Sequence, residues 1–118
     1  MRRILFRKEF VHLIQDGRMI STIRAFKKPF RVYEQFIPCA WSELPYHSQQ
    51  VVIGAPITIC TVMDFRKIDT SIIVDGVGIY GIPLEIVALN CGFASITEFM
   101  DFFPFEYMGK IYVWRVDK

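Results

Sequence analysis

Residues 57–80 leave little freedom in how they can be laid down. Ile57, Ile59, Thr61 and Met63 alternate with Thr58, Cys60, Val62 and Asp64, a period of two that puts the two sets on opposite faces of a long strand running to Phe65. A little further on, residues 71–74 and 77–80 flank Asp75-Gly76. That dipeptide tolerates the positive backbone dihedrals of a two-residue type I′ turn, so the pair reads as a β-hairpin. A long strand followed by a hairpin reads as a meander.

The other elements are shorter. Residues 4–6 are an apolar strand, after which Phe10, Leu13 and Ile14 share one face of a helix of about two turns. Gly17 ends it, as a residue able to take a left-handed C-cap without steric cost. The β-branched Ile20, Thr22 and Ile23 predict a strand over residues 20–24. Residues 25–50, broken by Pro29, Pro38 and Pro45, read as irregular chain rich in aromatics. Leu84, Val87, Ala88 and Cys91 repeat at helical spacing up to Gly92. Ser95-Ile96-Thr97-Glu98 then has the spacing of a capping box, opening a helix whose buried stripe is Ile96, Phe99, Met100 and Phe103 and which Pro104 stops. In residues 110–116, Ile111, Val113 and Arg115 alternate with Tyr112, Trp114 and Val116 as a closing strand. Strands outnumber helices, and the helices cluster at two places. The predicted class is α+β: a small, strongly bent β-barrel decorated by about three short helices.

Composition narrows the function. A chain of 118 residues matches one domain of ~100–200 residues and excludes a two-domain enzyme, so residues 1–118 are read as a single domain. With 53% hydrophobic residues, 11 Phe, 5 Tyr and 2 Trp it can bury a core and is not the composition of a disordered chain. The net charge of +2 conceals an asymmetry: residues 1–34 carry nine Lys or Arg against three acids, the remainder five against nine. One positive face, suited to phosphates, is one reading of this; a solvated surface is the other. Cys39, Cys60 and Cys91 are odd in number and widely spaced, which gives neither a disulfide framework nor a zinc knuckle. His12 and His47 lack a companion ligand at zinc spacing, so no metal site is expected, and His12 with Glu9 and Asp16 reads as a solvated charge cluster. Nothing in the sequence joins Cys91 to either histidine as a nucleophile and base. Residues 44–63, the longest uncharged stretch, are interrupted by His47, Ser48, Gln49, Gln50, Gly54 and Pro56. No membrane span is expected, and the N-terminal basic residues precede only three apolar ones, too few for a signal peptide. The expectation is a soluble cytoplasmic protein without a cofactor.

Residues 10–24, with Gly17, Thr22 and Arg24, resemble the opening helix, glycine turn and strand of the ASCH domain, a branch of the PUA-like barrels. The family signature reads Gly-x-Lys-x-x-Glu-x-Arg, with Thr in place of Glu in its small hydrolase branch; Met19 stands where the lysine is expected. Residues 88–103, with Gly92, Phe93 and Ser95, are similar to the late helix pair usually written Asp-Gly-Phe-x-Ser, and residues 111–114 resemble the final strand. The likeness spans nearly the whole chain and is weakest over residues 25–50. It implies a PUA-like β-barrel in which Gly17 to Arg24 line a cleft between barrel and helices. In the hydrolase branch the resemblance implies removal of an acetyl group from acetylcytidine by the lysine, the threonine and a downstream carboxylate. Thr22 matches the threonine, so it is the catalytic residue if the protein is an enzyme. Met19 can neither carry charge nor act as a base. Asn90-Cys91 occupy the place of the carboxylate, and the nearest acids in sequence are Glu85 and Glu98. Groups that act as a unit fail together, so the expected protein lacks hydrolase activity.

Binding is the remaining chemistry. Gly17 permits close approach, Arg18 and Arg24 supply guanidinium forks for phosphate or carboxylate oxygens, and Thr22 adds a hydroxyl. Arg24 has a second reading, as a brace paired with a nearby acid. Lys27, Lys28 and Arg31 continue the charge, interleaved with Phe26, Phe30, Tyr33 and Phe36, which either stack on unpaired bases or pack beneath the loop as satellite core. The predicted ligand-binding set is Gly17, Arg18, Thr22, Arg24, Lys27 and Lys28, and the predicted partner is RNA or a nucleotide-like ligand. Two rivals stand beside it: an enzyme on acetylcytidine-type nucleosides, and a protein-interaction module or homodimer using the aromatics of residues 102–107.

Overall fold

A computed structural model describes residues 1–115. Its strands are β1 (Arg3–Phe6), β2 (Ser21–Arg24), β3 (Gln35–Trp41), β4 (Gln50–Val52), β5 (Ile57–Ile68), β6 (Ser71–Val74), β7 (Val77–Ile79) and β8 (Glu106–Trp114). Three short helices, α1 (Val11–Gln15), α2 (Gly81–Asn90) and α3 (Ile96–Phe102), complete an α+β fold, with a 3-10 turn at Lys8–Phe10 leading into α1.

The local signals produce the expected elements. Asp75 and Gly76 both have positive φ, +49° and +79°, and connect β6 to β7, as the handedness of a two-residue hairpin requires. Gly17 takes φ +80° after α1, and Gly92 takes +88° after α2. Ser95 Oγ accepts from the Glu98 amide at 3.2 Å, as the N-cap half of a capping box does, while Glu98 Oε2 accepts from the Ala94 amide at 3.0 Å, one residue ahead of the N-cap. α2 carries apolar residues on its outer face as well as its inner one: Leu84 and Ala88 face the core, whereas Ile82, Ile86 and Leu89 are exposed beside Glu85.

All eight strands belong to one sheet, with β5 at its hub. One edge of β5 pairs antiparallel with β8 from Ile59 to Ile68; its other partners are β3 at Ile57 and Thr58 and β6 at its far end. β8 continues to β2, and β3 continues to β1 as a parallel pair. Among the described residues no ladder joins β1 to β2, so the sheet is curled and open at those two edges.

The stretch read as irregular, residues 25–50, contains β3 and the start of β4. Three prolines concealed β3, because proline removes a ladder donor and usually excludes a central strand. Pro38 is tolerated since its carbonyl still accepts from the Ile53 amide at 2.9 Å, while neighbouring Ile37 donates to Arg2 O at 2.9 Å. The closing strand begins earlier than expected, at Glu106, because it pairs with β5 as far as its last residue, Ile68; Val116 lies outside the described residues.

Two cores form on opposite sides of β8. Ile111 and its β2 neighbour Ile23 pack with Phe65, Leu84, Ala88 and Phe99 beneath α2 and α3. Tyr112 and Trp114 face the other way, onto Ile4, Phe6, Phe30 and Phe36. Phe36 and Tyr112 are wholly buried, each contributing roughly 1.5–3 kcal/mol by removal from water. Tyr112 Oη accepts from the Phe30 amide at 3.3 Å, which satisfies the one polar atom that burial would otherwise orphan.

Candidate functional site

The gap between the free edges of β1 and β2 opens into a cleft of about 350 Å³. β1 contributes Leu5, β2 contributes Thr22, Ile23 and Arg24, and Phe93, Phe102 and Tyr107 from the α2–α3 region and β8 form the opposite wall. Met19 and Cys91 also line it, both buried.

Arg24 is the polar centre. Thr22 and Arg24 lie two apart on one strand and therefore share a face. Arg24 Nε donates to Thr22 Oγ1 at 3.0 Å, and Nη2 donates to the Leu5 carbonyl at 2.7 Å. The guanidinium carbon stands 5.0 Å from the centre of the Phe6 ring. Its side chain is part-buried, and among the described residues no carboxylate forms an ion pair with it. The alternative role as a carboxylate-paired brace is thus not the one the geometry adopts. Burial pulls the Arg24 pKa below its ordinary value; Tyr107 and Tyr46 oppose the shift, and the nearby Arg7 charge adds to it.

Arg7 lies across the mouth, its guanidinium 4.7 Å from the centre of the Phe102 ring. Phe10, Phe93 and Phe102 continue that wall, with Phe93 edge-on to Phe10 and to Phe102 at 5.6 Å and 5.1 Å. Lys67 is buried behind it and donates to the Phe103 and Pro104 carbonyls at 3.1 Å and 3.2 Å, fixing the end of α3 where the wall turns. Tyr107 has its phenol pKa raised by burial, opposed by the Arg24 charge.

The two sulfur residues give the cleft a neutral floor. The Cys91 Sγ and Ser21 Oγ atoms are 3.1 Å apart and share a hydrogen bond. Burial pushes the Cys91 thiol up to about 11, with the Ser21 contact opposing the shift. Near neutrality it is a thiol and a poor nucleophile.

The expected binding set is divided by the fold. Thr22 and Arg24 meet in the cleft, and Gly17 forms the turn ahead of them. Arg18 does not join them: its Nε and Nη2 contact Asp16 Oδ2 at 2.8 Å and 2.7 Å, and this hydrogen bond holds the Asp16 carboxyl below its usual range. Lys27 and Lys28 are exposed on the β2–β3 connection and are not among the residues lining the cleft. Of the loop aromatics, Phe30 and Phe36 are buried, Phe26 packs on Tyr112, and Tyr33 is exposed. Sequence reasoning did not nominate Arg7, Phe10 or Phe93 for the binding set, and it assigned Phe102 and Tyr107 to a protein-interaction surface instead. The basic run at residues 7–8 was visible, but only the β1–β3 pairing carries it to the lip of the cleft.

Comparison of the chain with protein-family models, with curated proteins and with solved structures finds no match.

Proposed function

We propose that the chain is an ASCH-like domain of PUA-like barrel type that binds RNA or a nucleotide-derived ligand in the cleft beside Thr22 and Arg24, without hydrolysing it. One observation carries the reading: Arg24 is a part-buried guanidinium that has no carboxylate partner among the described residues and lines an aromatic cleft. A buried cation lacking a counter-charge is costly, and an anionic ligand supplies the charge-assisted hydrogen bonds that are missing. The rings of Phe10, Phe93, Phe102 and Tyr107 offer surfaces on which a base can pack. Thr22 Oγ1 already accepts from Arg24, which leaves its own proton to donate to a ligand. The barrel half of the reading draws on the curled sheet, whose open edges β1 and β2 are already bridged by Arg24.

The alternative is an amidohydrolase acting on acetylcytidine-type nucleosides. Amide hydrolysis needs a base whose pKa lies near the working pH. Among the described residues the cleft is lined by no carboxylate and no imidazole, and Met19 and the neutral Cys91 thiol leave the expected lysine and carboxylate positions without a base. That favours binding over turnover.

Titration of the protein with cytidine 5′-monophosphate tests the proposal. Affinity is expected to fall as salt rises, and to fall by about tenfold or more in Arg24→Ala, the loss of a charged hydrogen bond. An affinity indifferent to both overturns it. Incubation with acetylcytidine is expected to leave the substrate intact; turnover that disappears in Thr22→Ala would reinstate the enzyme.

A further inference from the structure

Arg24 does not sit at the end of the cleft but between two hollows. The second, of about 700 Å³, adjoins the first and shares Leu5, Arg7 and Arg24 with it. We propose that the two form one path for a single-stranded polynucleotide, one nucleotide in the cleft and the next stacked on Trp41 and Tyr46. This rests on the nucleotide-binding reading above and adds to it the class of ligand: a strand and not a free mononucleotide.

Three observations support the path. The first is size: the cleft is near the lower end of the ~300–1,000 Å³ typical of small-ligand sites, whereas the hollow that adjoins it is twice as large, so that together they have room for more than one nucleotide. The second is charge. Arg3, Arg7, Lys8 and Arg24 line the second hollow against Glu9 and Glu43. Arg7 reaches Glu9 only at 3.8 Å with both side chains more than half exposed, a pairing that a phosphate displaces at little cost. Arg3 is engaged only by Gln50 Oε1 at 3.2 Å among the described hydrogen bonds, and Lys8 is exposed. Cations therefore stand where the two hollows adjoin, at Arg7 and Arg24, and continue along the second at Arg3 and Lys8.

The third is the aromatic pair. The Trp41 and Tyr46 rings lie 5.2 Å apart at 49°, yet Tyr46 is 85% exposed. A tyrosine that leans on a tryptophan and keeps most of its surface in water has a ring face available for a base. Its loop is pinned: Ser48 Oγ donates to Leu44 O at 2.7 Å and accepts from the Glu43 amide at 3.0 Å. The platform is thus held before a ligand arrives, which reduces the ordering cost of stacking.

Tryptophan fluorescence reads this directly, because Trp114 is buried and Trp41 is the partly exposed one of the two. The full chain is titrated with cytidine 5′-monophosphate and with oligo(U) and oligo(dT) of increasing length. The mononucleotide is expected to bind without quenching Trp41, and strands of about six nucleotides to bind about tenfold tighter and to quench it. Tyr46→Ala, at an exposed position, is expected to weaken the longer strands about tenfold and leave the mononucleotide unchanged. Lys8→Ala is expected to flatten the salt dependence of strand binding by about 0.7 in log–log slope. Equal affinity for one nucleotide and six, or an unchanged strand affinity in Tyr46→Ala, overturns the path and leaves the nucleotide reading standing. Failure of every probe to bind overturns both.

Discussion

Arg24 Nη2 donates a 2.7 Å hydrogen bond to the Leu5 carbonyl, and through it a side chain ties the unladdered edges of β1 and β2. The same residue lines both hollows. Brace and anion site are therefore one group, and their energetics oppose each other. A carbonyl left without its donor costs about 1–3 kcal/mol, whereas replacing a part-buried charge that has no counter-charge by an apolar side chain removes a desolvation penalty that acts in the opposite direction.

These two effects offset each other, which makes Arg24→Met informative. Its unfolding free energy in urea is expected to stay within about 1 kcal/mol of the parent, while binding of cytidine 5′-monophosphate is lost and amide exchange along β1 and β2 accelerates. Arg24→Lys is expected to retain part of the affinity, since it keeps the charge but cannot make both bonds at once. A loss of several kcal/mol in Arg24→Met would instead make the residue chiefly a structural brace.

Gly92 controls how closely the α2–α3 turn approaches the first helix. Its φ is +88°, and a Cβ there would meet Phe10 Cδ1 at 2.8 Å and Met19 Sδ at 3.1 Å. Gly92→Ala is expected to destabilise the fold by about 2–4 kcal/mol, the left-handed penalty and the overlap together. It should also push Phe10 and Met19 toward the ligand and weaken binding. Urea denaturation and a nucleotide titration of the same variant check both parts; a change below about 1 kcal/mol would mean that the turn yields freely.

What could be read from the sequence was what is encoded locally. Asp75-Gly76, the Ser95 capping box and the glycine exits at positions 17 and 92 each act through neighbours a few residues away. β3 escaped because the stability of its Pro38 segment comes from β1, β4 and β5, which lie elsewhere in the chain. The site divides in the same way. Thr22 and Arg24 share a strand face and were legible as a pair, whereas Arg18 was captured by Asp16 only two residues away. Phe26 and Phe30 turn inward on Tyr112, so the basic loop does not present them beside Lys27 and Lys28. Arg7, Phe93 and Tyr107 meet only through long-range pairing, and no spacing rule reports that.

Met19 and Cys91 occupy, in one cleft, the two positions at which the resemblance leads one to expect a lysine and a carboxylate. Restoring one charge alone is costly. Met19→Lys places an ammonium near Arg24 with no acid to meet it, so its pKa falls and stability is expected to drop by a few kcal/mol at neutral pH. The unfolded chain then holds a proton that the folded chain does not, so this loss shrinks as pH rises toward 10. Adding Cys91→Asp is expected to recover at least about 1 kcal/mol beyond additivity, measured as the coupling in a double-mutant cycle. Strict additivity would show that the two side chains do not meet.

Cys91 also predicts an alkaline signature of the native fold. Its thiol is pushed up to about 11 from an ordinary 9.0, so between those values the unfolded chain loses a proton that the folded chain keeps. The native state binds more protons, and stability from this group, complete below pH 9, falls as pH rises to 11, by a few kcal/mol in all. Cys91→Ala removes that dependence. At pH 8 the variant is expected to be less stable, because it leaves a small cavity and takes the partner from Ser21. The difference between the two proteins should then narrow, and close or reverse, by pH 11. Lysine and tyrosine ionisations common to both cancel in that difference, so urea unfolding of the pair at a series of pH values isolates the thiol. A gap that stays constant from pH 8 to 11 would mean that Cys91 ionises in the folded chain as readily as in the unfolded one, and that the floor of the cleft is wetter than its burial indicates.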